Sequence, residues 1–285
     1  MTQSRSSYRQ NPASLRFDAK GLDIHYLDWG EGSERHLVLL HGLGSQAHAW
    51  DRFAKDASDA FRVVAPDLRG HGESAHAEDG YALKDFSADA HALARHLNLP
   101  PFDLVGHSLG AMIAIRFAAD HPSMVEHLVL VDGGPGLDLE IARQGSAVSF
   151  MRPLGWNTQD EAKAWHRKNF PERPAEWVEQ RVTYGMKQNW SGKWVFRHDP
   201  ELYWILEGGV PLSEEQSLGE TLAKLRCPVL VLRGERSPLL SLAAARRIAK
   251  APAKGKLLEI AGAGHGIPSD APERFRDAVL EFLLA

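Results

Sequence analysis

Short apolar runs alternate along this chain with stretches of helical periodicity, and that alternation restricts the fold more than any other feature. His36-Leu37-Val38-Leu39-Leu40, Phe61 to Pro66, Phe102 to Val105 and His127 to Val131 read as buried strands. Between them Ala47 to Ser58 has helical character. Leu83, Phe86, Ala90, Leu93 and Leu97 recur at spacings of three and four, the pattern of an amphipathic helix. Ala111 to His121 is apolar nearly all round, which makes it a buried helix. Two extended stretches, Ser14 to Ala19 and Asp23 to Trp29, precede the series and form an antiparallel hairpin about Lys20-Gly21. From Gly133 to about Leu222 the rhythm breaks into helix formers, tryptophans and prolines. It resumes with Pro228 to Leu232, Ser241 to Ala249, Leu257 to Ile260 and a last helix begun near Pro272 and marked by Phe275, Val279, Phe282 and Leu283. Strands joined through helices run parallel and are covered on both faces. The expectation is an α/β fold: a mostly parallel central sheet of about eight strands, with helices on both faces and a helical cap inserted after the sixth strand. The organisation that follows is a flexible tail over 1–13, a core over 14–132 and 223–285, and the cap over 133–222.

Composition excludes several classes. Charged residues are 25% of the 285, hydrophobic residues 44%, and the net charge is −4, the profile of an ordinary globular protein without a basic surface for nucleic acid or anionic membranes. The N-terminus has no apolar signal core and no run is long enough to span a bilayer, so a cytoplasmic location is expected. The single cysteine, Cys227, precludes an intrachain disulfide and, beside Pro228 and an apolar strand, reads as a buried structural thiol.

Chemistry concentrates at Gly106-His107-Ser108-Leu109-Gly110, between the Phe102–Val105 strand and the next helix. Gly-x-Ser-x-Gly in that context is a nucleophile elbow. The turn is so sharp that side chains at 106 and 110 would clash with their neighbours. Ser108 is lifted to the helix N-terminus, where unpaired N–H groups can hold an oxyanion. A serine hydroxyl needs a base, and His265, in the loop Ala263-Gly264-His265-Gly266 after the last strand, stands at the same sheet edge.

Taken in order, His41-Gly42-Leu43-Gly44, Pro66-Asp67-Leu68-Arg69-Gly70-His71-Gly72-Glu73-Ser74, the elbow and Ala263-Gly264-His265-Gly266 resemble the α/β-hydrolase fold, serine esterase-like branch, over about Arg16 to Leu284. The resemblance implies oxyanion-hole N–H groups on Leu43 and Leu109 and a structural role for Asp67, Arg69 and His71. A metal pair at His71 and His76 has no supporting ligand pattern, so neither metal nor cofactor is expected. The triad acid departs from the commonest pattern: Gly234-Glu235-Arg236-Ser237 puts Ser237 where an aspartate is usual. Some members carry the acid one strand earlier, which matches Asp132 in Asp132-Gly133-Gly134. Asp132 is favoured, with Glu235 as the alternative acid and a Ser–His dyad as the remaining option.

The cap segment holds Trp156, Trp165, Trp177, Trp190, Trp194 and Trp204, with Phe150, Phe170, Tyr184, Phe196 and Tyr203. Most are expected to pack the cap itself, and a few to reach the pocket. The resemblance implies a carboxylesterase-like serine hydrolase with a catalytic triad, acting through an acyl-enzyme on small hydrophobic esters or lactones, with perhydrolysis a side activity. The nucleophilic serine argues against the haloalkane-dehalogenase and epoxide-hydrolase branches. Two alternatives share the motifs: hydrolysis of a carbon–carbon bond in ring-cleavage diketones, and a slow-turnover ligand receptor. The expected partner is a small molecule, with no nucleic acid and no membrane.

Overall fold

The computed structural model describes residues 11–30, 33–78, 80–138, 140–141, 153–205 and 218–285, with the side chains of 203–205 left aside. An eight-stranded sheet runs β1 (Ala13–Ala19), β2 (Leu22–Asp28), β4 (Arg62–Pro66), β3 (His36–Leu40), β5 (Phe102–His107), β6 (Val125–Val131), β9 (Val229–Gly234) and β10 (Gly255–Ile260) across its width. β1 and β2 form the antiparallel hairpin, closing through Lys20 and Gly21, both at positive φ, the conformation a two-residue hairpin turn demands. β2 is antiparallel to β4, and every later pairing is parallel.

Helices cover both faces because the parallel strands are apolar on both. α2 (Leu83–His96), α3 (Leu109–Asp120) and α6 (Leu242–Lys250) bury one layer, in which Phe86, Ile113, Phe117 and Ile248 meet Val38, Leu104 and Val231. α1 (Asp51–Ala57) and α7 (Pro272–Leu283) bury the other, where Phe53, Phe275 and Val279 meet Leu39, Val105 and Leu232. Ala47 to Ser58, expected as one helix, is a 3₁₀ turn over Ala47–Trp50 followed by α1.

The segment between β6 and β9 lies outside the large sheet. It contributes α4 (Gln159–Asn169), α5 (Ala175–Thr183) and a hairpin of β7 (Met186–Gln188) and β8 (Trp194–Phe196). The hairpin adds two short strands to the helices expected here: Lys187 pairs with Val195, and Gly192 between the strands is at positive φ. Trp156, Ala162, Val182 and Met186 make a small separate core there. The tail expectation falls on residues 1–10, outside the described residues, and Ala13 belongs to β1. Phe150 also lies outside them. Among the described residues no helix is long and apolar enough to cross a membrane.

The order β4-β3-β5 carries the functional consequence. The chain leaves β3 toward one side of the sheet and reaches β5 on the other, so a crevice opens at the carboxyl ends of these two neighbouring strands.

Candidate active site

Ser108 stands at that crevice. It links β5 to α3 with φ 54° and ψ −114°, a conformation L side chains rarely adopt and one that persists only where the surroundings impose it. The two glycines are what permit it. A Cβ at Gly106 would lie 2.7 Å from the Ala111 backbone nitrogen and closer still to the Gly110 carbonyl. A Cβ at Gly110 would press into the Leu40 and His41 carbonyls. β5 can therefore approach α3 this closely only with hydrogen at 106, and α3 can approach the end of β3 only with hydrogen at 110.

His265 lies in the loop after β10. Its Nδ1 donates to Asp132 Oδ2 at 2.8 Å. That bond fixes the proton on Nδ1 and leaves Nε2 as the basic nitrogen. Asp132 follows β6 directly, also at positive φ (42°), and is fully buried. The Gly234 N–H donates to its Oδ1 at 3.0 Å and the Ser237 hydroxyl to its Oδ2 at 2.5 Å. The position where an acid is usual thus holds a hydroxyl that steadies the acid on the neighbouring strand. Glu235, the alternative acid, is exposed and turned away: its Oε2 accepts from the Gly262 N–H at 2.7 Å. The carboxylate brought to His265 is that of Asp132, not that of Glu235.

Ser108 and His265 border one cavity of about 180 Å³, together with Gly42, Leu43, Trp50, Trp177, Arg173 and Arg181. The hydrogen bonds of this structure do not include one between Ser108 Oγ and His265 Nε2. In serine hydrolases that contact commonly tightens only with substrate in place. Leu109 is the first residue of α3, so its N–H belongs to the unpaired donors of the helix start. Leu43 follows Gly42, and a Cβ on Gly42 would sit 3.2 Å from Ser108 Cβ, so the Leu43 backbone runs beside the serine.

Two buried histidines hold the His41–Gly44 loop. His41 Nδ1 donates to the Gly42 carbonyl at 2.8 Å while its Nε2 accepts from the Leu68 N–H at 3.0 Å. His71 Nδ1 donates to the Arg69 carbonyl at 2.9 Å and its Nε2 accepts from the Gly44 N–H at 3.0 Å. Each must be neutral to accept, and burial enforces this: it lowers the His41 pKa and drives that of His71 to about 3. Asp67 accepts from His25, Ala47 and Glu73, and Arg69 grips Asp89 through Nε at 2.6 Å and Nη2 at 2.8 Å. These are scaffold contacts. His76 donates to the Arg197 carbonyl at 2.9 Å.

Sequence reasoning missed several contributors. His107, a variable position of the Gly-x-Ser-x-Gly turn, donates from Nε2 to the His265 carbonyl at 2.9 Å and so ties the histidine loop to the turn that bears Ser108. Burial, then the neighbouring His265, hold its pKa at about 3. Ser237 was read only as a missing acid. Trp177 and Arg181 stand four residues apart on α5 and Arg173 lies just before it, a spacing that was available in the sequence. Of the insert's tryptophans, Trp177 borders the cavity, Trp156 packs the insert's core and Trp190 is exposed. Trp204's side chain lies outside the described residues. Asp103, Glu126 and His127 come close enough together to hold a metal, but at the opposite edge of the sheet, where Asp103 already pairs with Arg35 and His127.

Residues 35–272 match the family model described as alpha/beta hydrolase fold. The 2-(acetamidomethylene)succinate hydrolase of Mesorhizobium japonicum is 28% identical over 289 residues, spanning 95% of this chain and 97% of that protein. The crystal structure of E-2-(acetamidomethylene)succinate hydrolase superposes with a TM-score of 0.86 at 26% identity, covering 96% of this chain and all of that one. The Mycobacterium tuberculosis esterase Rv0045c superposes with a TM-score of 0.77 at 26% identity, covering 96% of this chain and 93% of that one.

Proposed function

The chain belongs to the alpha/beta hydrolase fold family, and from that premise we propose that it is a serine hydrolase that cleaves small carboxylic esters, lactones included, through an acyl-enzyme. The observation that carries this reading is the Asp132–His265 hydrogen bond at 2.8 Å, with Nε2 and a conformationally strained Ser108 bordering one cavity. Ser108 Oγ attacks the carbonyl carbon while His265 Nε2 takes its proton. The oxyanion is met by the N–H groups of Leu43 and Leu109. Collapse expels the alcohol, protonated by His265, and leaves the acyl group on Ser108. Water then attacks the acyl carbon, with His265 again the base, to release the acid. Asp132 keeps the imidazole in the productive tautomer and stabilises its charged form.

In this reading the 133–222 segment is a cap over the crevice. α5 supplies Trp177, Gln180 and Arg181 to the cavity wall, which supports that role. The same part list serves other carbonyl-attached leaving groups, and one relative bears the name of a succinate-derivative hydrolase. The test is a panel of p-nitrophenyl esters, lactones and a vinylogous diketone on the wild type and on Ser108→Ala. Ester turnover abolished by Ser108→Ala, with a mass increment of one acyl group on Ser108 after quenching the wild type, is the expected result. Retained turnover in Ser108→Ala overturns the assignment.

A further inference from the structure

Leu43 sits in a four-residue turn, Gly42 to Ser45. The Ser45 N–H donates to the Gly42 carbonyl at 3.1 Å, Gly44 stands at φ 68° and Leu43 has negative φ, so the turn is type II. In a trans peptide the Leu43 N–H points opposite to the Gly42 carbonyl. The bonds to that carbonyl, from Ser45 and from His41 Nδ1 at 2.8 Å, therefore also aim the Leu43 N–H. The central peptide of such a turn can flip, and His71 Nε2 resists this by accepting from the Gly44 N–H at 3.0 Å. These partners all belong to the core. The Gly44 carbonyl is held from elsewhere: it accepts from Arg181 Nη1 at 3.0 Å, on α5 of the inserted segment.

Arg181 reaches Gly44 from a fixed base. Its Nε donates to His166 Nε2 at 3.3 Å, and His166 is fully buried, with Nδ1 donating to the Ala162 carbonyl at 2.8 Å. Cζ lies 5.3 Å from the Trp177 ring centroid and 5.0 Å from that of Phe196. α4, α5 and β8 thus each contribute a side chain that holds the guanidinium. At the end of α5 the Tyr184 ring stacks on His48 of the 3₁₀ turn, 3.6 Å between centroids and 12° between planes. The carbonyl that Arg181 binds and the N–H that closes the type II turn belong to one amide, Gly44–Ser45. A cationic donor at the carbonyl polarises that amide and strengthens the Ser45 bond. We propose that Arg181 is a positioning residue: by docking α5 on the Gly44 carbonyl it fixes the Leu43 N–H as an oxyanion donor. This rests on the Ser108 hydrolase reading and adds to it the residue through which the insert acts on the chemistry.

The experiment uses Arg181→Met, which keeps an unbranched side chain against Trp177 and Phe196 and removes every donor. The readouts are turnover of p-nitrophenyl butyrate, inhibition by 1-butaneboronic acid, and amide hydrogen exchange across the turn. A misaimed oxyanion donor weakens the transition state and not the bound ester. kcat should therefore fall by about 10- to 100-fold, with KM within about threefold of wild type. The tetrahedral boronate adduct on Ser108 places an oxygen on the same donors, so its Ki should rise by a like factor. Arg181→Lys retains one cationic donor for the Gly44 carbonyl and should recover part of both. Exchange at Gly44 and Ser45 should quicken in Arg181→Met, while that of α3 stays unchanged. A kcat within about twofold of wild type, a rise in KM without a fall in kcat, or a lysine variant no better than methionine overturns the proposal. So does unchanged exchange at Gly44 and Ser45, even where esters are cleaved. Faster exchange there in a protein whose wild type cleaves no ester sustains the docking and ends the hydrolase reading alone.

Discussion

Replacing Asp132 by asparagine isolates the group on which the proposed chemistry turns. In the native site Oδ1 accepts from the Gly234 N–H, while Oδ2 accepts from both the Ser237 hydroxyl and His265 Nδ1. An asparagine must place its single oxygen on one side. Set at Oδ2, it would leave its NH₂ facing the buried Gly234 N–H, two donors with no acceptor. Set at Oδ1, it satisfies Gly234 and turns the NH₂ toward Ser237, whose hydroxyl can rotate to accept, and toward His265. The imidazole then accepts at Nδ1 and carries its proton on Nε2, so it is no longer a base toward Ser108. The charge effect adds to this. A carboxylate and an imidazolium centred about 4 Å apart interact by roughly 4 kcal/mol at an effective dielectric constant near 20. At about 1.4 kcal/mol per decade that is a factor of roughly 10³. With the tautomer effect, Asp132→Asn should lower kcat for ester hydrolysis by about 10³ to 10⁴ while leaving the melting temperature near that of the wild type. Ser237→Ala removes one of three donors to the carboxylate and should lower kcat/KM by about tenfold. Glu235→Gln, at an exposed position, should stay within about twofold. Stopped-flow release of p-nitrophenol from the three variants checks the series. Activity above a tenth of wild type in Asp132→Asn, or a comparable collapse in Glu235→Gln, refutes the reasoning.

Gly106→Ala forces a methyl group into the backbone of Gly110 and Ala111 and should destabilise the fold by about 3 kcal/mol or more, measured as a lowered guanidinium midpoint. His71, with its pKa held at about 3, and His41, held below its ordinary value, are neutral in the native state. Between about pH 6.5 and 3 the unfolded chain therefore binds protons that the folded one refuses, so stability rises with pH and is lost on acidification. The midpoint should fall from pH 7.5 to pH 5, and a constant midpoint would contradict the assignment. Burial lifts the Cys227 thiol to about 11, so a disulfide reagent at pH 8 should label it only after unfolding.

Much of the fold was legible from local pattern. The Leu83–Leu97 periodicity, the Lys20-Gly21 turn and the apolar runs each follow from side-chain spacing and backbone sterics within a dozen residues, and each element lies where that spacing put it, within a few residues. The β7–β8 hairpin was not legible, because Met186–Gln188 and Trp194–Phe196 are too short for a period-two signal to rise above the surrounding aromatics. His107 was passed over because the middle positions of an elbow carry no steric requirement, so nothing local marks a residue whose partner is 158 positions away.

By itself the sequence determined the corner that bears Ser108, where Gly106 avoids a clash with the backbone of Gly110 and Ala111, and it marked the loop that bears His265 by its place after the last strand. It did not determine the acid. Asp132 and Glu235 each follow a strand of the same sheet, and sequence separation says nothing about which carboxylate comes within hydrogen-bond reach of Nδ1. Only the tertiary structure decided that, by running β6 beside β9 so that a buried carboxylate on one strand meets the Ser237 hydroxyl of the other.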